Sequence, residues 1–83
     1  MAYFTYILFS ETLDRYYIGS TADVPMRLKE HLWSHGGLTS RAKDWELKYS
    51  ESFATKKMAA ERELQIKKWK SRKMIEKLIA LQN

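Results

Sequence analysis

Arg27 and His31 are the first residues in the chain whose types and spacing could support chemistry. They lie four positions apart in a predicted helix, so both side chains project from the same side of it. A guanidinium is a permanent, forked cation for phosphate oxygens, and an imidazole exchanges a proton near neutral pH. Because surface helices often carry such a pair without a function, simple solvent exposure is the competing interpretation. The chain has no Cys and one further His, His35, so no zinc site of recognisable spacing is predicted.

Glu63 is a carboxylate in an unusual position on the next predicted helix. It follows Ala59 by four residues and precedes Ile66 by three, so it points along or beside the core-facing side. Glu61 is rotated from it by about 200°, at about 100° per residue, and belongs to the solvent face. A carboxylate at the edge of a core needs a cation, hydrogen-bond donors or a metal ion. An Arg or Lys partner and a metal ion are both open interpretations of Glu63.

Tyrosine is dense at the start of the chain, where four of the five Tyr residues lie on a predicted hairpin. Tyr commonly packs its ring in a core and keeps its hydroxyl at the wet edge, which accounts for most of them. Core packing does not explain why the same small sheet would lie beside Arg27, His31 and Glu63. The four are Tyr3, Tyr6, Tyr16 and Tyr17.

The elements that must position these side chains follow from apolar patterning and capping residues. Residues 3–9 are aromatic, β-branched and apolar at nearly every position, which is typical of a central strand covered on both faces. Gly19 indicates a close backbone approach or a bulge near the end of the second strand. Asp23 is a good N-cap for a helix that Gly36 and Gly37 would end. The sequence predicts strands at 3–9, 16–21 and 45–49, with an extension of the third strand to Phe53 left open. It predicts helices at 24–33, 56–70 and 72–81, an α+β fold in the order β-β-α-β-α-α.

The composition is that of a small, basic, cysteine-free chain. Its 83 residues include 15 Lys and Arg against 10 Asp and Glu, a net charge of +5. This length predicts one domain over residues 1–83, and the absence of Cys excludes disulfides. No stretch approaches the roughly 20 apolar residues that span a bilayer, and the start lacks the basic segment of a signal peptide. A cytoplasmic protein with no membrane partner is expected.

The excess positive charge lies in the second half of the chain. Residues 1–41 hold four basic and four acidic residues, whereas residues 42–83 hold eleven basic and six acidic. Residues 67–73 contain five basic residues and no acidic one, a cluster that attracts phosphates through counterion release. A solvated helix face is the competing interpretation of such a run.

Taken together and in this order, these residues resemble the GIY-YIG nuclease family. Residues 5–8, Thr-Tyr-Ile-Leu, match the family's first motif loosely, with Phe4 in the place of its leading Gly. Residues 17–19, Tyr-Ile-Gly, match the second motif in full. The resemblance covers nearly the whole chain. Its later elements are Arg27 and His31 at the family's spacing and residues 45–49 and 60–69, which resemble the small stand-alone members.

The resemblance implies a three-stranded antiparallel sheet flanked by three helices, with an active site on one face of the sheet. It implies a metal-dependent endonuclease that hydrolyses phosphodiester bonds in DNA, directed by DNA structure with little sequence specificity. The alternatives are a nucleic-acid-binding module that does not cut, an accessory subunit of a DNA repair or processing complex, and a small interaction protein whose charge serves solubility. The implied site residues are Tyr6, Tyr17, Arg27, His31 and Glu63.

Each of these residues has an implied role. Glu63 is the ligand of one Mg²⁺ or Mn²⁺, which keeps much of its hydration shell. Tyr6 is the general base toward water, with His31 as an open alternative. Because a free Tyr has a pKa of about 10, we expect Arg27, the metal and a His31 hydrogen bond to lower the pKa of Tyr6 toward the working range. Tyr17 orients the phosphate or the water through its hydroxyl.

The implied partner is DNA, with branched, flapped and single-stranded forms as candidates. Contacts to backbone phosphates position a strand and carry little sequence information. Seven basic residues are expected to make them: Arg41, Lys43, Lys67, Lys68, Lys70, Arg72 and Lys73.

Overall fold

The computed structural model describes residues 2–33 and 43–82. Its six elements follow the predicted order, which confirms an α+β fold with three strands and three helices. The predicted helix end at Gly36 and Gly37 lies outside the described residues, as does Arg41. The elements are β1 (Tyr3–Ser10), β2 (Arg15–Thr21), α1 (Val24–Trp33), β3 (Glu46–Phe53), α2 (Lys56–Trp69) and α3 (Arg72–Gln82).

The strands form an antiparallel sheet in the order β2-β1-β3, with β1 in the centre. On one face Tyr6 lies opposite Gly19, and Leu8 lies opposite Tyr17. Because side chains alternate along a strand, Ile7 points to the other face. Both faces of β1 are covered, which explains its nearly continuous apolar run.

The third strand is longer than the predicted 45–49. It begins at Glu46, one residue after Trp45, and pairs with β1 as far as Phe53 opposite Tyr3. Its second half is polar, so the sequence there has no apolar alternation to indicate a strand. Pairing with the central strand extends β3 beyond the point where its own pattern ends.

Each face of the sheet carries its own apolar core. The core under α1 consists of Tyr6, Leu8 and Trp45, with Leu28 and Leu32 packed against it. The core under α2 and α3 consists of Ile7, Ile18, Tyr49, Ile66 and Ile75. The side chains of chemical interest are therefore divided between two layers.

Hydrogen bonds fix the ends of the helices. The Asp23 carboxylate accepts a hydrogen bond from the backbone N–H of Met26 at 3.1 Å, which confirms the predicted N-cap. Thr55 caps α2 in the same way. The helix ends at Trp69, one residue before the predicted end, because Lys70 takes up a left-handed backbone conformation at φ 48°. Among the described residues, no helix has the length and apolar character needed to cross a membrane.

Candidate active site

Tyr6 and His31 form a buried polar pair between the sheet and α1. Tyr6 lies at the middle of the central strand and is 1 % exposed, and His31 lies on α1 and is 8 % exposed. The phenol oxygen of Tyr6 is 3.0 Å from Nε2 of His31. A hydroxyl and an imidazole in direct hydrogen-bond contact provide a path for a proton.

Gly19 is the residue that makes room for the phenol. A Cβ atom at this position would lie 2.5 Å from the Tyr6 phenol oxygen and 2.7 Å from its Cζ atom. The predicted close approach at Gly19 is therefore confirmed, and the neighbour is a side chain. Sequence reasoning left Gly19 out of the site. The signal that could have found it is its place in the Tyr-Ile-Gly motif, opposite Tyr6 in a hairpin.

Replacing Gly19 by Ala is expected to lower the free energy of unfolding by about 1–3 kcal/mol, as overpacked cores usually lose. The backbone at Gly19 is not in the left-handed region, so Ala is conformationally compatible and would otherwise stabilise by about 0.4–1 kcal/mol. Urea unfolding measures the loss. In a Tyr6→Leu background the clash is absent and Gly19→Ala should cost little; an equal loss in both backgrounds would refute the contact as its cause.

Tyr17 and Arg27 complete the cluster around His31. The edge-on rings of Tyr17 and His31 have centroids 4.5 Å apart, which holds the imidazole between two tyrosines. Arg27 lies one turn before His31 on α1. Its guanidinium donates to Glu30 at 3.2 Å and is close enough to the Tyr6 phenol to act on the pKa of that group. Its side chain is 45 % exposed, so it can reach a ligand. The structure thus brings together four of the five predicted site residues under α1.

Burial has the largest effect on the pKa values of the pair. Burial raises the pKa of Tyr6 to about 12, although the hydrogen bond from Arg27 acts in the lowering direction. In the protein without a metal ion, desolvation of the phenolate outweighs the lowering by Arg27. The expected lowering by Arg27, His31 and the metal together stays a prediction. Burial, and then the charge of Arg27, lower the pKa of His31 from 6.5. At neutral pH the phenol keeps its proton and the imidazole is uncharged.

Glu63 approaches from the other side of the sheet. The hydroxyl of Ser20 donates to one of its carboxylate oxygens at 2.8 Å, and the ammonium group of Lys67 pairs with the other at 2.5 Å. The side chain of Glu63 is 20 % exposed, against 64 % for Glu61, which pairs distantly with Lys57. The predicted difference between a core-edge Glu63 and a solvent-facing Glu61 is confirmed.

The resemblance implied that the five site residues lie on one face of the sheet. In the structure they lie on both faces. Gly19 faces α1 beside Tyr6, whereas its neighbour Ser20 faces α2 and holds Glu63. The charge of Glu63 still acts on the Tyr6 phenol, where it raises the pKa. Because β2 is an edge strand, no further strand of the described residues separates the groups on its two faces, and a ligand at this edge could contact both. The candidate site therefore surrounds the end of an edge strand.

A cavity of about 340 Å³ opens at this edge. Arg27 enters it from α1 and Ser20 from β2, so it borders both parts of the site. Lys56, at the start of α2, adds a second cation to its wall, which sequence reasoning did not single out. The lining residues are Tyr3, Ser20, Thr21, Ala22, Arg27, Lys56 and Ala59.

Glu63 fits the divalent ion that the family resemblance implies. Among the described residues no group of three or more His, Cys, Asp or Glu is gathered for a metal. Mg²⁺ accepts one or two carboxylates and keeps several waters, so a single partly exposed carboxylate is a sufficient protein ligand. Ser20 holds one oxygen of Glu63 in place, and the position beside the other is taken by the ammonium group of Lys67, itself a cation.

The basic residues predicted to bind DNA differ in their surroundings. Arg72 donates to Asp14 at 2.7 Å, which raises its pKa, and lies over the rings of Phe9 and Tyr16. These contacts tie α3 to the hairpin, so Arg72 has a structural role that the sequence did not indicate. The others that the structure describes are exposed: Lys43, Lys67, Lys68, Lys70 and Lys73.

A second cavity, of about 320 Å³, lies where α2 meets α3. Its wall includes the cations Lys67, Lys70 and Arg72, together with Arg15 from β2, which the sequence analysis did not select. Lys67 thus lies between this cavity and the carboxylate of Glu63. The positive surface at the α2–α3 junction continues from the candidate metal ligand.

Comparison with known proteins shows the family to which the chain belongs. The family model described as the GIY-YIG catalytic domain matches residues 2–77. No curated protein matches the chain significantly. The solution NMR structure of the UPF0213 protein BH0048 from Bacillus halodurans is similar, with 30 % sequence identity and a TM-score of 0.59. That match covers 98 % of this chain and 85 % of the other. Since the family model spans most of its residues, the chain belongs to the GIY-YIG family.

Proposed function

We propose that the protein is a metal-dependent endonuclease that hydrolyses phosphodiester bonds in DNA, with little sequence specificity. Membership of the GIY-YIG family supports nuclease-type cleavage of DNA in general. The observation that carries the proposal is the buried 3.0 Å contact between the Tyr6 phenol and His31 Nε2, with the Arg27 guanidinium beside it. This arrangement places a proton-transfer pair next to a phosphate-binding cation.

Arg27 binds a non-bridging oxygen of the scissile phosphate. Its guanidinium is half-exposed at the cavity and presents several donors in a fixed geometry, which suits phosphate oxygens. Lys56 lies in the same wall and adds a second positive charge. A phosphate seated in this cavity lies next to the phenol that Arg27 already touches.

Tyr6 and His31 accept the proton of the attacking water as one unit. With a pKa of about 12, the Tyr6 phenol is protonated near neutral pH and cannot take up a proton alone. His31 is uncharged, so its Nε2 accepts the phenol proton while the phenol oxygen takes one from water. The water oxygen then bonds to phosphorus as one P–O bond of the backbone breaks. Tyr6 and His31, the two alternatives for the general base, then act one after the other in a single proton relay.

Glu63 is the residue that would hold the divalent ion. Such an ion neutralises charge on the scissile phosphate and on the leaving oxygen. Ser20 orients the carboxylate, and the short path around β2 brings that carboxylate within electrostatic reach of the phenol.

Weak, salt-sensitive binding to backbone phosphates is expected from the exposed cations at the α2–α3 junction. Lys70 lines the second cavity there, and Lys68 and Lys73 are exposed at the end of α2 and the start of α3. Backbone contacts of this type do not read base sequence. Binding would then depend on the shape of the DNA, as branched, flapped or single-stranded forms provide.

A DNA-binding module that does not cut alone is the second candidate function. The contact between Lys67 and Glu63 favours it, because a cation already occupies the carboxylate. It predicts salt-dependent DNA binding with no cleavage in Mg²⁺ or Mn²⁺.

Cleavage of branched and duplex DNA in Mg²⁺ or Mn²⁺ tests the proposal, with Arg27→Ala as the informative variant. We expect this change to lower the rate by about 10²–10³-fold, as loss of one charge-stabilising donor does. An exposed helix position tolerates Ala within about 0.5 kcal/mol, so stability should hardly change. Lys29→Ala removes an exposed cation two residues further along α1 and is the matched control. Absence of cleavage above the Arg27→Ala level on every substrate would rule out the nuclease.

A further inference from the structure

Lys67 covers the carboxylate to which the proposed function assigns the metal. Its Nζ atom is 2.5 Å from an oxygen of Glu63, four residues earlier on α2, and Ser20 donates to the other oxygen. The Glu63 side chain is 20 % exposed and that of Lys67 is 47 % exposed. The carboxylate is thus held by two protein groups, of which the ammonium group is the more mobile because it ends a long flexible stem.

This pair differs from an ordinary ion pair on a helix surface. The same helix carries a second Lys and Glu four residues apart, Lys57 and Glu61, whose side chains are 86 % and 64 % exposed. Their charged atoms lie 4.0 Å apart, a separation at which each group is largely hydrated. Close contact at Glu63 therefore reflects its covered position, where the ammonium group replaces water that the carboxylate has lost.

Lys67 also borders the basic cavity between α2 and α3. Lys70, Arg72 and Arg15 line that cavity with it. Asp14 also lines the cavity, but its carboxylate pairs with Arg72. If the ammonium group leaves Glu63, it therefore joins the positive charges of Lys70 and Arg15, and an anion is needed to stabilise the new position. A backbone phosphate of DNA is the anion that the proposed function brings to this surface.

We propose that Lys67 is a positioning residue that exchanges partners, binding Glu63 in the metal-free protein and a DNA backbone phosphate once a divalent ion occupies Glu63. The inference rests on the proposed function. Two cations cannot share one carboxylate oxygen without repulsion, so Lys67 competes with the ion until DNA provides an alternative partner. Binding of the ion and binding of DNA then favour each other, and thermodynamic linkage requires the same factor in both directions.

Calorimetric titration with Mn²⁺ alone, without DNA, tests the competition directly. Lys67→Met keeps the aliphatic stem and removes the charge, and we expect it to bind Mn²⁺ at least about five-fold more tightly than wild type. Lys57→Met removes the same charge from the same helix and controls for the change in net charge. Lys67→Arg should retain the wild-type affinity. Equal Mn²⁺ affinity for Lys67→Met and Lys57→Met, or no binding by any of these proteins, would overturn the inference.

Fluorescence anisotropy with labelled branched DNA measures the exchange itself. Ca²⁺ serves as the divalent ion in comparison with EDTA at matched ionic strength. Ca²⁺ should tighten DNA binding by wild type and Lys57→Met by about five-fold or more, and this gain should be largely absent in Lys67→Met. A gain of the same size in Lys67→Met would contradict the exchange.

Glu63→Gln distinguishes failure of the inference from failure of the proposed metal site. If this variant binds Mn²⁺ as wild type does, the ion is not at Glu63 and both proposals fall. If it loses Mn²⁺ while Lys67→Met still binds as Lys57→Met does, only the exchange of partners is refuted. Circular dichroism of each variant confirms that α2 is intact in these comparisons.

Discussion

Changing Tyr6 to Phe is expected to lower the rate of DNA cleavage by about 10²–10⁴-fold, the range that a positioned acid–base group contributes. The ring that fills the core under α1 is kept, and only the hydroxyl that contacts His31 Nε2 is lost. Folding and DNA binding should therefore persist. Single-turnover cleavage in Mg²⁺, thermal unfolding and anisotropy with labelled DNA measure the three properties separately.

Tyr49→Phe is the matched control for this variant. Tyr49 is also buried in the sheet, and its hydroxyl donates to Glu51 at 2.7 Å, but it faces the opposite core. The Tyr49→Phe variant therefore measures the effect of losing a buried hydroxyl that takes no part in proton transfer. If the Tyr6→Phe and Tyr49→Phe variants cleave DNA at similar rates, Tyr6 takes no part in the proton transfer.

The same relay sets the sign of the pH dependence. Because the folded protein lowers the pKa of His31 from 6.5, the imidazole is uncharged at neutral pH and able to accept the proton. Wild-type cleavage should be fully developed above pH 6.5 and decline as the pH falls through the lowered pKa. The unfolded chain binds this proton more readily, so stability should decline over the same acid range. A wild-type rate that rises toward acid pH would contradict the relay.

Changing Glu63 to Gln is expected to reduce cleavage by about 10²–10³-fold or more, as removal of a group that organises transition-state charge does. The amide keeps the size of the side chain and an oxygen that can accept from Ser20, but it lacks the charge that binds a divalent ion. Because the pair with Lys67 is closer and more covered than an ordinary surface pair, thermal unfolding of the variant is measured beside cleavage to separate folding from activity. Cleavage at several Mg²⁺ and Mn²⁺ concentrations measures the effect.

Glu61→Gln provides the comparison on the same helix. Glu61 is two residues from Glu63, carries the same charge and also pairs with a Lys, but it faces solvent. We expect Glu61→Gln to cleave DNA close to the wild-type rate. Equal losses in the two variants would show that the effect comes from net charge, and an active Glu63→Gln variant would place the ion elsewhere.

Much of the fold could be predicted, because the apolar pattern of most strands and helices matches the face that each one buries. The apolar run of β1 indicates a strand with two covered faces, and Asp23 marks the start of α1. The sequence left open an extension of β3 to Phe53, and pairing with β1 decides that the polar second half is a strand. Helical spacing was also enough to separate the covered Glu63 from the exposed Glu61.

Less of the site could be predicted, since its properties depend on distances between elements. The pKa of Tyr6 was expected to be lowered by neighbouring charge, but the phenol is so well buried that desolvation has the larger effect. Lys67 was expected to bind phosphate, and it pairs with Glu63 in the folded protein. Arg72 was also expected to bind phosphate, but in the folded protein it links α3 to the hairpin through Asp14.

The sequence by itself determined the order of the strands and helices, the residues that resemble the GIY-YIG motifs and the helix face that carries Glu63. These features depend on the spacing of residues that are close in sequence, so they can be read from the sequence itself. Only the tertiary structure decided that Gly19 lies against the Tyr6 phenol, and that Ser20 holds Glu63 on the other face of β2. It also decided that desolvation governs the proton of Tyr6. These features arise from strand register and burial, which exist only once the sheet has formed between its two layers of helices.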